Sequence, residues 1–216
     1  MFLPTISTTE MKIKKISPSS RKKDRFLIQF ENGSQLKATE QEILAFSLYE
    51  GKELSEEEYG AMEQAAGLSC TKGRAANIIG ARALSKKELE KRLLQKGESP
   101  ENAAAAVAWL EEIGAIDDRS YADSVVRHYT AAGYGPAKLR EELYRRGVPR
   151  ELWEEALEEL PDPSDAIDHY IASRLRGGKP DDKQKHRICD GLRRRGFRWE
   201  DIKTAMYRLE ASLEED

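Results

Sequence analysis

Residues 88–110 read ELEKRLLQKGESPENAAAAVAWL, and this stretch decides the fold. Leu89 and Leu93 stand one helical turn apart, and Gly97 follows one turn later. A glycine there closes a helix, because without a Cβ it accepts the left-handed conformation of the C′ position. Ser99-Pro100 then supplies an N-cap with proline at the first helical position. Ala103, Val107 and Leu110 continue at the three- and four-residue steps of a helix face.

The same pattern returns at Gly147 and Gly196, spaced 50 and 49 residues along the chain. Four residues before each glycine stand Leu93, Leu143 and Leu192; eight before stand Leu89, Leu139 and Ile188. Six after come Ala103, Trp153 and Ile202; ten after, Val107, Leu157 and Met206; thirteen after, Leu110, Leu160 and Leu209. Five matched apolar columns in three copies mark an internal repeat. A further helix precedes each pair. It carries Ala75, Ile78 and Ile79 in the first copy. In the second it carries Tyr121, Val125, Val126 and Tyr129, capped by Asp117 or Asp118. In the third it carries Ile167, Tyr170, Ile171 and Leu175, after the breaker Pro161-Asp162-Pro163. Ser85 with Glu88 forms a capping box, Gly135-Pro136 opens the middle helix of the second copy, and Asp181 caps that of the third.

Upstream, KIKKI (12–16), RFLIQF (25–30) and SQLKA (34–38) read as short strands. Asn32-Gly33 predicts a type I′ hairpin turn. Since a lone hairpin is marginal in water, it should pair with the first strand or pack on a helix. Capping boxes at Thr39–Glu42 and Ser55–Glu58 predict helices over 40–49 and 55–66. The expected fold is mainly α: three tandem three-helix repeats in an elongated curved array, after a small β segment and two short helices. The expected divisions are residues 1–68, 69–116, 117–162 and 163–216.

The chain has 216 residues, 39% hydrophobic and 35% charged, which suits many short helices with wet outer faces. Its longest apolar run, Ala103 to Leu110, is far short of the roughly 20 residues of a membrane helix. The opening MFLPTISTTEMKIKK lacks the apolar stretch of a secretory signal. Cys70 and Cys189 are far apart and share no CxxC spacing, which argues against a zinc site or disulfide framework. A soluble, cytoplasmic, monomeric protein with no membrane partner is expected.

No GxxxxGK[ST], GxGxxG, HExxH or GxSxG motif occurs. His128, His169 and His186 lie one to a long helix, and pairing with Asp123 or Asp165 gives no fixed constellation. Neither an enzyme nor a cofactor or metal site is expected. The acidic run Glu154, Glu155, Glu158, Glu159 reads as a wet helix face.

The formal net charge is −3, yet it runs +5 over 1–39, −7 over 40–70, +2 over 71–116, −4 over 117–162 and +1 over 163–216. Lys96, Arg146 and Arg195 each precede a repeat glycine, where a cation also suits a helix C-terminus. The third copy adds Arg193, Arg194 and Arg198, with Lys183, Lys185 and Arg187 upstream; the second adds Lys138, Arg140 and Arg145; the first adds Lys86, Lys87, Lys91 and Arg92. The candidate contact set is Lys138, Arg140, Arg145, Arg146, Lys185, Arg187, Arg193, Arg194, Arg195 and Arg198. It would form a discontinuous basic stripe for phosphates or an acidic protein groove. Arg21, Lys22, Lys23 and Arg25 suggest a second patch or a solvated loop. Trp109, Trp153 and Trp199 fall in or near the third helix of each copy and show no base-stacking pattern; Trp199 is a staple or an exposed anchor.

The string Ala83-Leu84-Ser85-Lys86-Lys87-Glu88-Leu89-Glu90-Lys91-Arg92-Leu93, ending in Lys96-Gly97, resembles the first-repeat motif of the bacterial RecX family. Ile116-Asp117-Asp118-Arg119-Ser120-Tyr121-Ala122, Gly133-Tyr134-Gly135-Pro136, Lys138-Leu139-Arg140-Glu141-Glu142-Leu143 and Arg146-Gly147-Val148 follow in matching order. The resemblance covers about residues 70–160, and the third copy continues it more loosely. It implies a non-catalytic regulator of the recombinase RecA, built of three three-helix units. Such a regulator lies in the groove of the RecA filament on single-stranded DNA. It restrains ATP hydrolysis, strand exchange and co-protease activity, and limits filament growth or promotes disassembly. DNA, single- or double-stranded, is a further partner in this reading. The rival reading is a stand-alone helical nucleic-acid-binding module; a third is an inert helical scaffold or adaptor.

Overall fold

The computed structural model describes residues 11–19, 25–175 and 180–215. Three antiparallel strands come first, β1 (Ile13–Pro18), β2 (Phe26–Phe30) and β3 (Gln35–Ala38), in the order β1-β2-β3. Ile13, Ile28, Phe30 and Ala38 are buried, so the hairpin both pairs with the first strand and turns an apolar face inward. The outer edge of β1 is covered: Ile13 N–H donates to Lys52 C=O (2.9 Å), and Gly51 N–H to Ile13 C=O (2.8 Å).

The hairpin turn differs from the type I′ expectation. Gly33 N–H donates to Phe30 C=O and Phe30 N–H to Ser34 C=O, both at 3.0 Å. Of the central residues only Gly33 is left-handed (φ 86). This is a three-residue loop with glycine in the bulge position. Asn32 keeps negative φ and instead accepts the Ser34 N–H on its Oδ1 (2.8 Å).

Both capping boxes form, and they open α1 (Glu40–Ala45) and α2 (Glu56–Ala81). Each helix departs from its expected end. α1 stops at Ala45 rather than 49, because Ser47 takes a left-handed φ of 47 and the chain turns to bury Leu48. α2 runs past residue 66 to Ala81, merging with the helix expected to open the first copy, so residues 68 and 69 lie within it. Nothing in 67–74 stops a helix: Gly67 and Gly73 weaken it by about 1 kcal/mol each, which packing outweighs. At Gly67 a Cβ would come within 3.1 Å of the Asn102 amide, so its absence suits the packing of α2 on α4.

Next come α3 (Lys86–Gln95), α4 (Pro100–Glu112), α5 (Asp118–Ala131) and α6 (Pro136–Arg145). A 3-10 turn at Arg150–Leu152 leads into α7 (Trp153–Glu158). α8 (Pro163–Arg174), α9 (Asp182–Arg194) and α10 (Trp199–Glu215) complete the chain. Gly97, Gly147 and Gly196 follow equivalent helices with φ of 84, 72 and 88, as the repeat requires. The apolar columns at eight and four residues before these glycines are buried in every copy. The later columns are buried or half-buried, Trp153 among the half-buried, with its indole donating to Val148 C=O (3.0 Å).

Contacts divide the chain into two compact units. One is Met1–Arg82 with Leu89–Ala115; the other is Ala83–Glu88 with Ile116–Asp216. In the first, Phe30 meets Tyr59 edge-on at 5.3 Å, and Arg25 donates to the Ser69 hydroxyl and carbonyl (2.8 and 2.7 Å). The second holds two cores. Tyr121, Val125, Leu139, Leu143 and Leu157 centre one, and Ile167, Ile171, Ile188, Leu192 and Ile202 the other.

Candidate partner-binding surface

The ten candidate cations all lie in the second unit, and the structure sorts them into three groups. The first gathers on one carboxylate. Glu142 sits on α6 five residues before Gly147 and is only 3% exposed. Arg145 Nη2 donates to Glu142 Oε2 at 2.5 Å, and the Tyr129 hydroxyl donates to the same oxygen at 2.9 Å. Lys138 Nζ lies 3.5 Å from Oε1 and 2.9 Å from Glu141. Arg146 Nε lies 3.5 Å from Oε2, while its Nη1 donates to the Tyr121 hydroxyl at 3.0 Å and Nη2 to that of Tyr129 at 3.4 Å. Burial acts to raise the Glu142 pKa, but Arg145, Tyr129 and the surrounding positive charge outweigh it and hold the carboxyl below its ordinary range. Burial disfavours charge on Arg146 too, but the tyrosine hydroxyls more than compensate, so its pKa stands above the usual arginine value.

The second group is held by partners other than Glu142. Arg140 faces Glu154 at 3.6 Å. Lys185 donates to Glu210 at 2.6 Å, which links α9 to α10 and raises the lysine pKa. Arg195 is packed on its own chain. Its guanidinium stacks over Tyr134 (5.1 Å) and Tyr170 (4.9 Å), and Nη1 donates to the carbonyls of Ala132 (3.1 Å) and Gly133 (3.0 Å).

The third group is Arg187, Arg193, Arg194 and Arg198. All four are exposed, and among the described residues none of their side chains has a hydrogen-bond or ion-pair partner. Three of them flank the tight turn at Gly196 between α9 and α10. Here sequence reasoning missed the decisive columns. Five residues before the repeat glycine the chain has Arg92, Glu142 and Gly191; twenty-six before, Thr71, Tyr121 and Tyr170. The third copy has no carboxylate where the second has Glu142, so Arg194 stays free where Arg145 is neutralised. Side-by-side comparison of the copies carried this signal.

Exposed aromatics border these charges. Tyr144, beside Arg145, is 76% exposed. Trp199 (53%) and Tyr207 (60%) stand two helical turns apart on α10, with Lys203 between them and 5.6 Å from the Tyr207 ring. Trp199 thus lies on the surface. Arg21, Lys22 and Lys23 of the suggested N-terminal patch lie outside the described residues, and Arg25 is engaged with Ser69. His128, His169 and His186 are exposed, and no group of three or more His, Cys, Asp or Glu suited to a metal occurs among the described residues. No described helix is long and apolar enough to cross a membrane.

Residues 117–157 match the family model described as RecX, second three-helix domain. The "Regulatory protein RecX" of Streptococcus pneumoniae (strain Hungary19A-6) is 28% identical over 206 residues, 94% of this chain and 80% of that protein. The "Regulatory protein RecX" of Streptococcus equi subsp. zooepidemicus (strain MGCS10565) is 28% identical over 205 residues, 94% and 79%. Among solved structures, "Crystal structure of regulatory protein RecX" shares the fold with a TM-score of 0.71 at 21% identity, over 90% of this chain and 98% of that one. RecX from Lactobacillus salivarius gives 0.61 at 20% identity, over 68% and 99%. The repeat glycines, the three-helix pattern and a likeness that runs nearly end to end make this chain similar to regulatory proteins RecX, and residues 117–157 match the RecX second three-helix domain.

Proposed function

We propose that this chain binds the RecA filament on single-stranded DNA and restrains RecA's ATP hydrolysis, strand exchange and co-protease activity. The observation that carries this reading is the likeness to regulatory proteins RecX over 94% of the chain. In this reading residues 1–68 are an extension, and 69–116, 117–162 and 163–216 are three-helix units that spread contacts over several protomers. Spread contacts raise the effective concentration of each further one. The protein acts as a cytoplasmic monomer without chemistry of its own. It biases the filament by binding one arrangement of RecA more tightly than others, since equal affinity shifts nothing.

The ten cations serve this docking unequally. Arg187, Arg193, Arg194 and Arg198 offer full charges to a partner, whereas the other six already share theirs within the chain. The test is RecA-dependent ATP hydrolysis on single-stranded DNA, titrated with this protein. Native protein should inhibit below one copy per RecA protomer. The triple variant Arg193→Glu, Arg194→Glu, Arg198→Glu should need about tenfold more, equivalent to the loss of about 1.4 kcal/mol. Inhibition by the folded variant equal to native would remove these residues from the site; indifference of RecA to native protein would remove the function.

Free arginines next to exposed Trp199 and Tyr207 favour a second reading, a stand-alone nucleic-acid-binding surface, since phosphates pair with arginine and bases stack on aromatic rings. DNA affinity without RecA that falls steeply with salt would support it.

A further inference from the structure

Two joints in the second unit follow one rule. The start of one middle helix seats on the closing turn of the next. In the earlier joint the Ser85 hydroxyl donates to Arg146 C=O (2.5 Å) and accepts the Glu88 N–H (3.1 Å). Lys86 N–H donates to buried Asp118 (2.8 Å), and the Lys87 stem covers Gly147, where an added Cβ would come within 3.2 Å of it. In the later joint Gly135 N–H donates to Arg195 C=O (2.8 Å), and Ala137 N–H to Gly196 C=O (3.1 Å). A helix start has unsatisfied donors and a helix end unsatisfied acceptors, so each completes the other, and the dipoles agree.

The later joint is the tighter. A Cβ on Gly135 would stand 2.6 Å from the Gly196 carbonyl carbon and 2.7 Å from Phe197 N, both backbone atoms. One on Gly196 would collide with the Lys138 backbone. Arg195 bonds back to Ala132 and Gly133, which close α5, so the joint is held from both sides.

We infer that the Gly135–Gly196 joint, pinned by Arg195, fastens helices α5–α7 to α8–α10 as one rigid body and so sets where the partner-facing Arg187, Arg193, Arg194 and Arg198 stand relative to helices α5–α7. Gly135, Arg195 and Gly196 are then positioning residues for the docking proposed above, on which this role rests. Docking through both helix groups requires their spacing to match the partner; a loosened joint dilutes the second contact.

The test uses the full chain with Cys70→Ala and Cys189→Ala, spin-labelled through Ser124→Cys on α5 and Thr204→Cys on α10. Pulsed dipolar spectroscopy should give one narrow distance. Gly135→Ala should broaden it. Arg195→Gln removes the pin without a backbone clash, and should broaden it with helical content unchanged; it decides the matter if Gly135→Ala does not fold. A broad distance in the reference protein overturns the rigid joint; a narrow one kept in Arg195→Gln overturns its pinning by Arg195. On RecA, Arg195→Gln should raise the midpoint of ATPase inhibition about tenfold while reaching the same plateau. A broadened distance with an unmoved midpoint overturns the positioning role. Should the reference protein leave RecA untouched, the function above fails, and the distances alone judge the joint.

Discussion

The C-terminal ends of α6 and α9 occupy the same place in successive copies of one repeat, yet they present opposite electrostatics. At the end of α6, Arg145 and Arg146 converge with Lys138 on buried Glu142 and share its charge, although the Arg145 side chain stays exposed. At the end of α9 the corresponding column holds Gly191, against which the Tyr170 ring packs. Among the described residues, the side chain of Arg194, the counterpart of Arg145, has no partner, and neither do those of Arg193 and Arg198. One substitution in a repeat column thus separates a structural cation cluster from an available one. A run of arginines in a sequence is a count of charges, and the carboxylates within reach decide how many are offered outward.

The largest expected effect is on the buried side of this comparison. Glu142→Gln leaves Arg145, Arg146 and Lys138 crowded around a neutral amide. It should cost about 3–5 kcal/mol in urea unfolding, as for other broken buried pairs. The same change should flatten the acid limb of stability. Because the folded pKa of Glu142 lies below its unfolded value, its contribution is complete above the unfolded value and is lost as pH falls through the folded one. Melting temperatures measured from pH 7 down to pH 3 should therefore fall less in Glu142→Gln than in native protein; parallel curves would show that Glu142 does not carry the acid sensitivity.

Next in size is Gly191→Ala, which forces a methyl against the Tyr170 ring and should cost about 1–3 kcal/mol. Tyr170→Phe removes the atom nearest that methyl, so a double-mutant cycle should show a favourable coupling. No coupling would mean that the two residues do not share the space.

On the open side, Arg194→Ala should leave the melting temperature within about 2 °C of native, as expected for an exposed residue. It should also weaken inhibition of RecA several-fold. Smallest is Arg145→Ala on RecA inhibition, with less than about a twofold change, since Glu142 already neutralises that arginine. If Arg145→Ala weakened inhibition more than Arg194→Ala, the division between spent and available charge would be reversed.

Much of the fold is legible in local sequence. Thr39, Ser55, Ser99, Asp117 and Asp181 each cap a helix as their residue types predict, and the three repeat glycines each take the left-handed turn. Caps, apolar periodicity and helix-closing glycines act over three or four residues, so one chain segment contains both partners of the interaction. The hairpin turn and the ends of α1 and α2 were less legible. There, several backbone paths suit the same residues, and packing selects among them.

By itself, then, the sequence determined the repeat, its helix boundaries at the glycines, and the likeness to RecX proteins. The tertiary structure alone decided which basic residues face outward. Arg195 finds its carbonyls 62 and 63 residues away, and Arg146 its tyrosine hydroxyl 25 residues away. Electrostatic pairing depends on distance in space, and no local spacing rule brings such partners together before the helices pack.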